Sequence, residues 1–196
     1  VHTKEEYLNI VIPYRMKAID VFRVALTYEL SWNAPKKLKI YFDEKLSVEG
    51  LSTAWTNPVI ESGIMHCRAC LEFLGLKEDP KKSLKLKTRN GKRDDDFGIE
   101  DWGLSCLSVE DAVEPYVGPK EEAEKALACV IHCANKGIAH ATSGLIVVDE
   151  DRKLYEIAAR GIPTLIINYQ VPCYSIPMRS YPLFRAREWL KALMED

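Results

Sequence analysis

The sequence predicts a mainly helical, all-α protein: an irregular bundle of four to five helices carrying one charged excursion. Apolar residues recur at helical spacing, most clearly at Ile60, Ile64, Cys67, Leu71 and Leu74, which draw one stripe along a helix. Helix start and stop residues flank such windows, among them Thr3-Lys-Glu-Glu6, Asn57-Pro58 and Gly75. Only one stretch reads as a βαβ unit, and a sheet needs more than one.

The elements follow in order. Thr3 and Glu6 form a capping box, and Leu8, Ile12, Ile19, Phe22 and Leu26 continue a helix over about 4–31. Pro13 kinks or splits it, because proline lacks the amide donor. Leu38 to Phe42 is too short a run for periodicity to decide between strand and helix. A second helix starts at Asn57-Pro58 and ends at Leu74, with Gly75 suited to the left-handed C′ position and Leu76 to the accompanying apolar contact. Residues 77–118 form the excursion. Seven basic residues lie between Lys81 and Arg93, Asn90-Gly91 signals a turn, and Asp94 to Asp96 follow. A third helix opens at Gly118-Pro119, runs along Ala123, Leu127, Val130, Ala134 and Ile138, and ends near Ser143-Gly144, with Gly137 marking a bend or close contact. A helix over about 151–160, broken at Gly161 and restarted at Pro163, is favoured next. The alternative is an α/β protein with a small βαβ unit at 145–168, using Leu145 to Val148 and Thr164 to Asn168 as strands. Pro182 opens a last amphipathic helix after an aromatic-bearing connection.

Composition limits the function classes. The 196 residues fit a single helical domain over 1–196. Lys plus Arg is 27 against 29 Asp plus Glu, so no global basic excess points to nucleic acid. No apolar run reaches the roughly 18 residues of a membrane span, and the first residues carry no apolar signal region. No membrane partner and a cytoplasmic location are the resulting expectations.

One short motif carries chemistry: Ala134-Asn-Lys-Gly-Ile-Ala-His140. It resembles the Arg-Asn-Lys-x-x-Ala-His form of the signature helix in HEPN domains, helical bundles many of which are metal-independent ribonucleases of toxin–antitoxin and phage-defence systems. The resemblance covers these seven residues and the general helical architecture. It implies that His140 is the acid/base and Asn135 the polar orienting group, and that two protomers pair so that both motifs line one groove. RNA and a second copy of the chain are therefore the implied partners, in a setting of stress or defence. The arginine of the pattern is replaced by Ala134, which puts ribonuclease activity in doubt. Lys136 and Arg68 are the substitute cations, Arg68 as a phosphate-binding residue, although lysine lacks the bidentate fork of arginine.

Two competing readings stand beside it. Cys67, Cys70, Cys129 and Cys133, with His66 and His132, sit at helical i, i+3 and i+4 positions and would hold zinc if their helices met. Free cysteine is more often a small buried hydrophobe. The other reading is a non-enzymatic protein-interaction module using the bundle surface and the aromatic tail with Tyr169, Tyr174, Tyr181, Phe184 and Trp189. The basic run has no interleaved aromatics to stack bases, and Asp94 to Asp101 reads as a solvated loop paired with it. No phosphate-binding glycine loop, dinucleotide pattern or nucleophile elbow is present, so no cofactor is expected.

Overall fold

The computed structural model describes residues 3–138 and 149–169. The protein is mainly helical. Helix α1 (Lys4–Glu6) starts at the predicted capping box: the Glu6 amide donates to Thr3 Oγ1 at 3.2 Å, and the Thr3 amide donates to Glu6 Oε2 at 2.8 Å. A π-helical segment (Tyr7–Val11) then leads into α2 (Ile12–Ser31), with Pro13 in the first turn of α2. The Ile12 amide donates to the Tyr7 carbonyl, five residues back. The wider turn bridges the stretch where proline removes a bond, so the chain stays helical and is divided rather than ended.

The ambiguous run after α2 is a strand. β1 (Lys37–Phe42) pairs antiparallel with β2 (Lys45–Leu51), with a register shift between Ile40 and Tyr41. Asp43 and Glu44 turn the hairpin, with φ values of 46° and 67°. Helix α3 (Thr53–Phe73) begins a turn earlier than Asn57-Pro58 suggests. Ser52 is its N-cap residue, and the Ser52 hydroxyl accepts from the Lys36 amide at 3.1 Å, closing the hairpin onto the helix. Pro58 therefore lies inside α3 and gives up the amide bond of that position.

Gly75 takes φ +88°, as its predicted C′ role requires, and reverses the chain into β3 (Leu76–Glu78). β4 (Leu86–Thr88) pairs antiparallel with β3. The hairpin turn lies between them, at 79–85, and not at Asn90-Gly91. A 3-10 turn (Ile99–Trp102) and the short α4 (Val109–Val113) complete the excursion. The excursion does not simply project. Leu76, Leu86, Ile99, Leu107 and Ala112 belong to the same buried cluster as Phe22, Leu71 and Ile131, so its apolar residues anchor it.

Helix α5 (Lys120–Cys133) runs on into a second π-helical segment (Ala134–Ile138), where Gly137 falls. Helix α6 (Asp149–Asn168) is continuous through Gly161 and Pro163, correcting the expected break. Leu154, Ala158, Ile162 and Leu165 form one buried stripe across the two breakers, and that packing outweighs the loss of one hydrogen bond. The same helix removes the second strand of the α/β alternative, since 164–168 is helical; its first strand lies outside the described residues. The predicted third-helix end at 143–144 and the helix from Pro182 also lie outside them. Helices α2, α3, α5 and α6 pack on one another around the core. No helix among the described residues is long and apolar enough to cross a membrane.

The close approach of α2 and α3 depends on Gly63, where an added Cβ would overlap Phe22 Cβ and Cγ. Phe22 is fully buried and cannot swing out. Gly63→Ala should lower stability by about 1–3 kcal/mol in chemical denaturation; an unchanged midpoint would show that the helices slide apart without penalty. Conversely, Glu44→Gly should stabilise the protein by up to about 1 kcal/mol, because the Asp-Gly pair fits a turn with two left-handed residues. A thermal melt with no upward shift would count against a strained Glu44.

Candidate functional site

A cleft of about 830 Å³ opens between the start of the chain, α3 and the segment after β4. Tyr7 enters from the first π-segment, Arg15 from α2, Arg68 and Glu72 from α3, and Lys77 from β3. The run from Arg89 to Phe97 supplies the facing wall. Six cations line the cleft, Arg15, Arg68, Lys77, Arg89, Lys92 and Arg93, against the carboxylates of Glu72, Asp95 and Asp96. The basic run and Arg68 thus meet in space, although some twenty residues separate them in sequence.

Several of these cations are held in place by neighbours. Arg68 Nε donates to Glu72 Oε1 at 2.9 Å, one helical turn on. Arg89 is 10% exposed, and its Nη2 donates to Glu100 Oε2 at 2.6 Å. Gly98 makes that seat possible, since a Cβ there would overlap Arg89 Nη2. Lys92 Nζ pairs with Asp101 Oδ2 at 3.2 Å and donates to the Asp96 carbonyl at 2.7 Å. Burial pushes the Asp101 carboxyl up, but the Gly98 amide, Lys92 and Lys4 outweigh it and hold the group below its ordinary range. The carboxylates that partner the basic run are thus Glu124 for Lys85, Asp79 for Lys87, Glu100 for Arg89 and Asp101 for Lys92. The expected pairing of the Asp94 to Asp101 run with the basic run is thus made by Glu100 and Asp101 at its far end, while Glu124 and Asp79 come from other elements.

Arg15 Nη1 lies 3.4 Å from His66 Nδ1. A guanidinium only donates, so this contact makes Nδ1 the acceptor and places the imidazole proton on Nε2. Burial, and then the Arg15 charge, lower the His66 pKa, which favours the neutral ring. Arg15 Nε and Arg89 Nε are both buried without a hydrogen-bond partner. An unsatisfied buried donor costs about 1–3 kcal/mol, and both belong to side chains that line this cleft.

Aromatic rings adjoin the cations. The Tyr7 ring lies 4.6 Å from Phe97 and 5.6 Å from Phe73, and Trp102 backs the group at 5.7 Å from Phe73. The basic run has no aromatic of its own; the fold supplies Tyr7 and Phe97 to it. No periodicity within one segment signals this meeting, and Arg15, Arg89 and Tyr7 carry no sequence motif that would single them out.

The motif residues are placed differently. Ala134 is fully buried in the core cluster, Asn135 is half-buried and Lys136 is exposed, all on the second π-segment. That segment packs against α3. His140 lies outside the described residues. The Cys/His pairs do not converge on one ion: among the described residues no group of three or more His, Cys, Asp or Glu is arranged to hold a metal. Cys67 and Cys70 are fully buried, and burial raises both thiols, that of Cys70 to about 12. His132 instead pairs with Glu78 at 2.8 Å, and Tyr155 donates to Cys133 Sγ at 3.1 Å. No family model, curated protein or solved structure matches the chain.

The His66 environment has a pH signature. Its folded-state pKa is lowered, so the unfolded chain takes up this proton more readily. The contribution is full above the ordinary value of about 6.5 and is lost as pH falls through the lowered value. Proton NMR should find His66 titrating below its ordinary value. Arg15→Gln should move it up only part of the way, because burial is the larger cause. Titration of wild-type His66 at or above the ordinary value would contradict this geometry.

Proposed function

We propose that this protein is a HEPN-like helical protein that associates with RNA through its cationic cleft, and that binding rather than cleavage is its principal activity. The observation that carries the reading is the convergence of Arg68 with Arg15, Arg89, Lys92 and Arg93 on one cleft beside Tyr7 and Phe97. Fixed cations attract the phosphate backbone, and aromatic rings offer faces on which unpaired bases stack. The near-neutral overall charge is compatible with this, because the excess is local. Cleavage is given the lesser part because Ala134 occupies the place of the motif arginine and is buried in the core. Pairing of two copies belongs to the same reading, and light scattering of the purified protein tests it.

The exposed β1–β2 hairpin favours a second reading as a protein-interaction module. Tyr41, Phe42, Leu46, Val48 and Leu51 are all exposed on it, and apolar side chains gathered in this way mark contact surfaces.

A fluorescently labelled single-stranded RNA of a dozen nucleotides should bind in low salt and be released steeply as salt rises. Reversing the two cleft-lining cations Lys77 and Arg93 together (Lys77→Glu with Arg93→Glu) should weaken binding by about tenfold or more. Wild type and His140→Ala should leave the RNA equally intact. Loss of RNA that depends on His140 would restore the ribonuclease; unchanged affinity in the double reversal would remove the cleft from the interface.

A further inference from the structure

We infer that the floor of the cleft is a seat for a terminal phosphate, a phosphomonoester dianion, built from the guanidinium groups of Arg15 and Arg89. This inference rests on the RNA reading and narrows it from a polyanion to a strand end. Among the described residues, the buried side-chain nitrogens left without a hydrogen-bond partner are Arg15 Nε and Arg89 Nε, and both side chains line the same cleft. They come from distant elements, α2 and the segment after β4, and the fold brings both to the lining of one cleft.

The seat is held before any ligand arrives. Glu100 grips one edge of Arg89, Gly98 leaves the room for it, and Arg89 is nine-tenths buried. His66 Nδ1 faces Arg15 Nη1. In both arginines the Nε–H is the donor left unpaired, and this edge of the guanidinium is part of the fork that matches two phosphate oxygens. Lys92 stands nearby, anchored by Asp101, while Arg93 is exposed.

The charge decides which phosphate suits such a seat. An internal phosphodiester presents two terminal oxygens and one negative charge. A phosphomonoester presents three oxygens and nearly two charges above its second pKa of about 6. Two arginines with unspent donors, beside further cations, match the richer acceptor. The strand leading away from the end would pass the Tyr7 and Phe97 rings, where the first unpaired base finds an aromatic neighbour.

The test compares one RNA sequence with a 5′-phosphate and with a 5′-hydroxyl, and repeats the phosphate at the 3′ end, using the full chain and anisotropy. A strand carrying a terminal phosphate should bind about tenfold tighter than the unphosphorylated strand, as charge-assisted bidentate pairing implies. The advantage should shrink below pH 6, where the monoester loses its second charge. Millimolar inorganic phosphate should erase the advantage while leaving the hydroxyl strand bound. Arg89→Lys keeps the charge without the fork and should lose most of the preference. Arg15→Gln gives the same readout if the Arg89 variant unfolds. Equal affinity for all three strands overturns the terminal-phosphate seat and leaves RNA association standing. No binding of any strand overturns both. A preference that survives inorganic phosphate and both substitutions also overturns the seat.

Discussion

The cleft depends on how the chain leaves α3. At Gly75 the backbone takes a left-handed conformation, and a Cβ there would run into Cys106. The Gly75 carbonyl accepts from the Arg89 amide at 2.8 Å, and the Leu74 carbonyl accepts from the Leu107 amide at 2.9 Å. Thr88 Oγ1 donates to the Leu107 carbonyl at 3.0 Å. One helix terminus therefore satisfies its last carbonyls with two separate stretches of the excursion. That places the Arg89 backbone beside the end of α3, which carries Arg68 and Glu72 on its last turns. The Arg89 side of the cleft is thus tied to the end of α3. The excursion is ordered because its amides are needed where the helix has carbonyls to spare.

The parts of the fold legible in the sequence are those with local causes. Thr3 and Glu6 satisfy each other across three residues, Pro13 removes a donor wherever it stands, and Gly75 supplies a left-handed residue at a helix end. Where local signals competed with packing, packing won. Asn57-Pro58 resembles a start, yet Ser52 begins the helix because it also closes the β1–β2 hairpin against Lys36. Gly161 and Pro163 resemble a break, yet Ala158, Ala159, Ile162, Leu165 and Ile166 keep one buried stripe through them. The apolar spacing across the two breakers carried that answer, and the breakers hid it.

The site was legible at Arg68 and in the basic run that carries Arg89, Lys92 and Arg93, but not as one place. Arg15 and Tyr7 precede Arg68 by some fifty residues, and Arg89 follows by some twenty, so their convergence is a matter of topology rather than spacing. The charge pattern read along the chain is half the answer. The Asp94 to Asp101 run does pair with the basic run, through Glu100 and Asp101, but the fold adds Glu124 and Asp79 from elsewhere. Counterions drawn from separate elements fix each cation in its own direction. Lys85 and Lys87 are turned to partners on α5 and in the β3–β4 turn, while Lys92 and Arg93 remain with the cleft. A uniform basic stretch is thereby divided between structural pairing and the lining of the cleft.

Ala134, where the resembled signature helix has arginine, sits in packing that leaves no room for one. Ala134 is fully buried, and Ala126 and Ala128 are buried on the same helix run. An arginine in that place would carry a guanidinium into a space shaped for a methyl group, with a desolvation penalty that only a buried anion would offset. On the RNA reading, the cation that phosphate chemistry requires must therefore come from another element. Arg68 on α3, with Arg15 and Arg89 lining the same cleft, offers such cations, and Glu72 and Glu100 supply anions to Arg68 and Arg89 that position 134 lacks on this reading. On that reading the phosphate would be held by cleft cations from α2, α3 and the segment after β4 and not from position 134, which is the ground for proposing binding ahead of cleavage.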